Sequence, residues 1–86
     1  MRSLTTVVNV SNAAPVTLLE SNDNRDGLVV QNQTGVLFVK LSKYASNTNF
    51  TYRLTANTTL ELTGYSGWVT AIHQNSASDV LITEII

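Results

Sequence analysis

Polar and apolar side chains alternate with a period of two along most of this chain, and the three-to-four spacing of an amphipathic helix is absent. Period two is the signature of pleated strands, so the chain is confined to β structure. Leu4, Thr6, Val8 and Val10 interleave with Thr5, Val7 and Asn9. After a break at residues 11–15, which ends in Pro15, the pattern resumes over residues 16–20. Residues 21–27 form a dense turn signal, since Asn and Asp close turns through their own side chains and Gly supplies positive φ. Residues 28–32 read as the next strand, and Gln33-Thr34-Gly35 turns it into residues 36–41. Those two strands are expected to pair as a hairpin.

Residues 42–48 are a polar connection carrying Lys43 and Tyr44, after which Phe50, Tyr52 and Leu54 share one face. A turn at residues 55–57 leads into residues 59–62, and Gly64 and Gly67 flank Tyr65 before a strand at residues 68–73. The last loop, residues 74–79, opens the strand 80–85. About eight short strands with turn chemistry between them predict an all-β fold: a small antiparallel β-sandwich or a partly closed barrel, as one domain over residues 1–86. Val30, Phe38, Leu60, Trp68 and Ile72 are the expected core. Residues 36–39 and 80–82 are apolar on both faces, so each strand is expected to be central or covered by a neighbouring chain.

At 86 residues such a chain buries only about 60–65% of its unfolded surface, so its stability margin is thin. Small domains often add disulfides, a metal or a partner. There is no cysteine, which excludes disulfides and thiolate metal sites and leaves partner surfaces. The net charge is −1 with 13% charged residues, and Arg2, Arg25, Lys40, Lys43 and Arg53 are scattered. No phosphate-tracking stripe results, so no nucleic-acid partner is expected. No run approaches the ~20 apolar residues that span a bilayer as a helix, so no membrane role is expected. Arg2 with residues 4–8 imitates a secretory leader, but Asn9, Ser11 and Asn12 interrupt it, and a first strand accounts for it better.

Catalysis finds little support. His73 is the only histidine and lies within a predicted strand, with no Ser or Thr placed to be activated by it. Glu20, Asp23, Asp26, Glu61, Asp79 and Glu84 single out no acid–base pair. The chain therefore reads as a non-enzyme without a cofactor. Asn22-x-Asn24-x-Asp26-Gly27 copies the first half of a calcium loop, but Gln33 stands where the closing Glu belongs and a strand follows, so the segment reads as a turn. Sequons at Asn9, Asn32, Asn49 and Asn57 reflect the abundance of Asn, Ser and Thr. Trp68 alternates with Thr70 and Ile72 and is expected to be buried, whereas Tyr44 and Tyr65 sit in loops and are candidate contact residues. The ends are unusually apolar: Leu4, Val8, Ile85 and Ile86 must be tied into the sheet or buried by a partner.

The segment Asn22-Asp23-Asn24-Arg25-Asp26-Gly27-Leu28-Val29-Val30-Gln31-Asn32 resembles the N-x-x-R-x-G-L-x-x-x-N opening of small β-sandwich proteins encoded in tailed-bacteriophage structural gene clusters. The resemblance continues through residues 36–41, 49–54, 64–72 and 80–84, covering roughly residues 16–84. It implies a virion component assembled in the host cytoplasm, most simply a capsid decoration (cement) protein. Its partners would be copies of itself, with a trimer among the arrangements allowed, and a major coat or other virion protein. A fibre, tail or neck module that binds a receptor, a glycan or an adaptor surface is the alternative. The motif also has a purely physical reading. The Arg25 fork could tie carbonyls or a carboxylate together, Gly27 could supply positive φ, and Gly64 and Gly67 could permit a tight corner.

Overall fold

The computed structural model describes residues 2–86 and resolves the alternation into eight strands with no helix among them. These are β1 (Ser3–Val10), β2 (Val16–Leu19), β3 (Gly27–Asn32), β4 (Leu37–Lys40), β5 (Tyr52–Leu54), β6 (Thr58–Thr63), β7 (Val69–His73) and β8 (Ser78–Ile85). Every pairing is antiparallel. Sheet I has the order β1-β8-β3-β6 and sheet II the order β2-β7-β4-β5. The fold is thus the expected sandwich, and its sheets do not close into a barrel.

The core lies between the sheets and follows strand parity. Sheet I contributes Val10, Leu28, Val30, Val80 and Ile82, and sheet II contributes Leu37, Val39, Leu54, Val69 and Ala71. Fully burying one such Val, Leu or Ile stabilises the fold by about 1.5–3 kcal/mol. Leu60 is only partly buried, on the edge strand β6. Phe38 is buried but stands outside this core, on the opposite parity from Leu37 and Val39 and directly across from Ile72. Its cover is Phe50, with ring centroids 4.7 Å apart. The strand apolar on both faces is therefore both central and covered by a loop of the same chain. Trp68 and Ile72 are half-buried, which corrects the expectation that both belong to the core.

The expected hairpin between β3 and β4 is not formed. β3 lies in sheet I and β4 in sheet II, so residues 33–36 carry the chain across the sandwich. The crossing is held by Asn32, whose amide group donates to the carbonyls of Gly35, Leu54 and Thr55 at 2.9, 3.1 and 3.0 Å, while Gly35 takes φ +71°. Only β4 and β5 are consecutive strands paired in one sheet.

The chain ends are tied down as the apolar termini require. β1 and β8 pair without a register shift from Ser3↔Ile85 to Val10↔Ser78. Arg2 and Ile86 then close the ladder with two reciprocal backbone bonds.

Candidate functional site

His73 is fully engaged in the interior. Its side chain is buried, with Nδ1 2.9 Å from the Val10 carbonyl and Nε2 3.2 Å from Asn32 Oδ1. Both contacts are to carbonyl-type oxygens, which accept only, so each ring nitrogen can bond there only as an N–H donor. The three carbonyls around the Asn32 amide nitrogen fix which end of that side chain faces the ring. Neither ring nitrogen meets a hydroxyl it could activate. Among the described residues no three His, Cys, Asp or Glu side chains converge as a metal site.

The turn motif forms a clasp between the sheets. Arg25 sends Nε to Glu84 Oε2 at 2.9 Å, Nη1 to the Gly67 carbonyl at 2.8 Å, and Nη2 to the Glu20 carbonyl. Glu84 belongs to β8 of sheet I, whereas Glu20 and Gly67 border β2 and β7 of sheet II. Asn22 presents the loop: its Oδ1 accepts from the Asn24 backbone N–H at 3.0 Å and its Nδ2 donates to Glu84 at 3.3 Å. The guanidinium is entirely buried. A planar fork with five donors can meet a carboxylate and two carbonyls at once, which an ammonium on a flexible stem cannot do as well.

Gly27 departs from its expected role. Its φ is not positive; a Cβ there would lie 2.9 Å from the Leu62 carbonyl oxygen, so the position needs space. Gly64 does take φ +80°. Gly67 gives room to Tyr65, because an added Cβ would come within 2.8 Å of Tyr65 Cζ. The Tyr65 hydroxyl donates to the Trp68 carbonyl at 2.7 Å, so this half-buried tyrosine braces the corner and is not a free surface group.

The side chains left over gather on the outer side of sheet II, where residues 41–51 fold back over the strands. Thr51 N–H donates to the Val39 carbonyl at 2.7 Å, and Ala45, 2% exposed, plugs the loop against Thr70. Thr70 Oγ1 accepts from the Ala45 N–H and donates to the Ser42 carbonyl. These anchors hold Tyr44 at φ +65° and leave it 76% exposed. A left-handed backbone is costly for a bulky residue, so the loop around it must over-determine the conformation. Beside it, the Lys43 ammonium lies 4.4 Å from the centroid of the Trp68 ring, a cation–π contact.

Lys43, Tyr44 and Trp68 form a ridge between two open recesses. One, of about 260 Å³, is completed by Pro15, Thr17 and Thr70. The other, of about 580 Å³, runs along Lys40, Leu41 and Ser42 to Tyr65. Lys40, Lys43 and Arg53 form no ion pair among the described residues, where Arg25–Glu84 is the one salt bridge. This face is consequently aromatic and cationic. Of the sequence candidates, the structure gathers Asn22, Asn24, Arg25 and Gly67 into the clasp, leaves Tyr44 the most exposed, and sets Leu4, itself 44% exposed, with Val8, Ile85 and Ile86 in the β1–β8 ribbon. The pairing of Lys43 with Trp68 had no signal in the sequence, since it depends on how residues 41–51 fold back.

In comparison with known proteins, no family model, curated protein or solved structure matches the chain.

Proposed function

We propose that this chain is a non-catalytic assembly module that docks on another protein through the Lys43–Tyr44–Trp68 ridge, and that it serves as a decoration protein on a bacteriophage coat. The observation that carries the docking reading is Tyr44, held 76% exposed in a left-handed conformation by a loop otherwise plugged and hydrogen-bonded. Strain kept at an exposed aromatic is a feature of contact sites. Tyr and Trp are the residues that most often anchor protein interfaces, and the unpaired Lys40, Lys43 and Arg53 suit an acidic partner surface. The coat as that surface rests on the resemblance of residues 16–84.

Decoration works by mass action: a module that binds only the assembled lattice stabilises it in proportion to its occupancy. Particles lacking this chain should release their genome at lower temperature, and Tyr44→Ala protein added back should not restore the difference. Equal release temperatures with and without the chain would refute the decoration role. Retained particle binding by Tyr44→Ala would refute the assigned surface.

The recess of about 260 Å³ beside Trp68 favours a second reading, in which a sugar ring packs against Tyr44 and Trp68. Lys43 already covers one face of the indole, so the sugar would take the other face or displace that contact. Saturable binding on a glycan array, lost in both Tyr44→Ala and Trp68→Ala, would select it.

A further inference from the structure

We propose that two copies of this chain pair through β1 about a two-fold axis, joining their four-stranded sheets I into one continuous sheet. The backbone dictates which groups are offered at that edge. Arg2 and Ile86 exchange both of their backbone hydrogen bonds, at 2.8 and 2.7 Å. In an antiparallel ladder such pairs alternate with pairs that exchange none. With no shift in register, Leu4, Thr6, Val8 and Val10 are therefore bonded to β8 as Arg2 is. Ser3, Thr5, Val7 and Asn9 turn their N–H and C=O groups outward, to an edge that pairs with no other strand among the described residues.

The other edges are blunted and β1 is not. β2 is four residues long, follows Pro15 and contains a register shift. β5 is three residues long and carries Arg53, and β6 carries Glu61. β1 runs eight residues, Ser-Leu-Thr-Thr-Val-Val-Asn-Val, without a charge, a proline or a bulge. Proteins that stay monomeric interrupt such edges.

The occupant is a second copy because the strand complements itself. Edge-facing residues must meet edge-facing residues, which restricts the two-fold register. Centred on Thr6, the pairing sets Ser3 against the partner's Asn9 and Thr5 against the partner's Val7. Every outward-turned residue of both strands is then matched. Leu4, 44% exposed, meets the partner's Val8, and Val7, 58% exposed, meets the partner's Thr5. Centring on Val7 instead would leave Ser3 opposite the partner's Ser11, beyond the strand. No like charges oppose each other, because the strand has none. Exposure along the inward-facing row falls from Leu4 at 44% to Val10 at 0%, so sheet II leaves the first half of β1 uncovered. That half is where the partner strand would bring Val8.

The register makes a sharp test possible, because the chain has no cysteine. Thr6→Cys places two thiols opposite each other at the axis, as a pair without backbone bonds, about 4.5 Å between Cα atoms and within disulfide range. Under mild oxidation it should cross-link at least about tenfold faster than Thr59→Cys on the opposite edge, since pairing makes the reaction intramolecular. Sedimentation of the unsubstituted 86-residue chain should give twice its 9.4 kDa mass. Val7→Pro should give a monomer, because it removes an edge-facing N–H and none of the bonds to β8. Should Val7→Pro lose its circular dichroism signature, the cysteine pair decides alone. A native chain that remains monomeric at every concentration, or equal cross-linking of Thr6→Cys and Thr59→Cys, overturns the proposal.

Discussion

Replacing Arg25 with Met tests whether the clasp holds the two sheets together. The guanidinium is 0% exposed and the Glu84 side chain 16%, so the pair is shielded from water. Met preserves most of the aliphatic volume but leaves Glu84 without its counter-ion and the carbonyls of Glu20 and Gly67 without their donors. Breaking a buried pair from one side costs about 3–5 kcal/mol. A chain of this length has roughly 4–13 kcal/mol of total stability, so the loss is a large fraction of it. At about 4–8 °C per kcal/mol for a domain this small, the melting temperature should fall by about 12–40 °C. Urea unfolding, extrapolated linearly to water, measures the same loss as a lower midpoint at unchanged slope. Glu84→Leu should cost a comparable amount by stranding the cation. The double variant should be more stable than the sum predicts, by about 1.5–3 kcal/mol, because the two side chains are one interaction. It should remain below the native chain, since the two carbonyls stay unpaired. A loss under about 1 kcal/mol for Arg25→Met, or strict additivity in the double variant, would refute the clasp.

Asn32→Leu should lower stability by about 3 kcal/mol in urea unfolding, because it strips the donor from three carbonyls at the sheet crossing and leaves His73 Nε2 unpaired. Gly67→Ala should cost about 1–3 kcal/mol by displacing Tyr65, and Tyr65→Phe should add little to it once the hydroxyl bond is already broken. Tyr44→Asn should raise the melting temperature by a few degrees, since Asn tolerates the left-handed backbone at about 1 kcal/mol less cost, while abolishing binding to the partner. A Tyr44→Asn chain that binds normally would remove the case for strain kept for contact.

Period two made the strands legible but neither their inward faces nor their connections: of the five residues expected in the core, only Val30 belongs to it. Leu28, Val30 and Asn32 share a face, as do Val69, Ala71 and His73, but nothing in the pattern joined the two polar residues, whose contact spans 41 positions. The sheet crossing after β3 was not legible, because a Gln-Thr-Gly turn serves a hairpin and a crossing alike. What decides between them is a long-range event: the Asn32 amide reaching Leu54 and Thr55, more than twenty positions away. Phe38 shows the same difficulty. Its strand reads as apolar on both faces, but only the return of residues 41–51 reveals that Phe50 covers the outer one. The Arg25 clasp was the easier case, since a lone arginine in an Asn/Asp-rich turn has few uses other than collecting oxygens.

The two proposed contacts fit together geometrically. A two-fold axis perpendicular to sheet I keeps both sheets II on the same side of the joined sheet. Tyr44 lies on the outer surface of sheet II, anchored there by Thr70, so both copies of the ridge face one way. A surface that carries repeated copies of the docking partner would then meet two ridges at once. The second contact forms at the effective concentration set by the first, which raises avidity by about 10²–10⁴ without any new side-chain interaction. Dimerisation through β1 would thus do more than cover Leu4 and Val7. It would let a weak ridge contact hold on a lattice, and the Thr6→Cys dimer should bind such a lattice more tightly than a Val7→Pro monomer whose ridge is intact. Equal affinity of the two would mean that the edge and the ridge act separately.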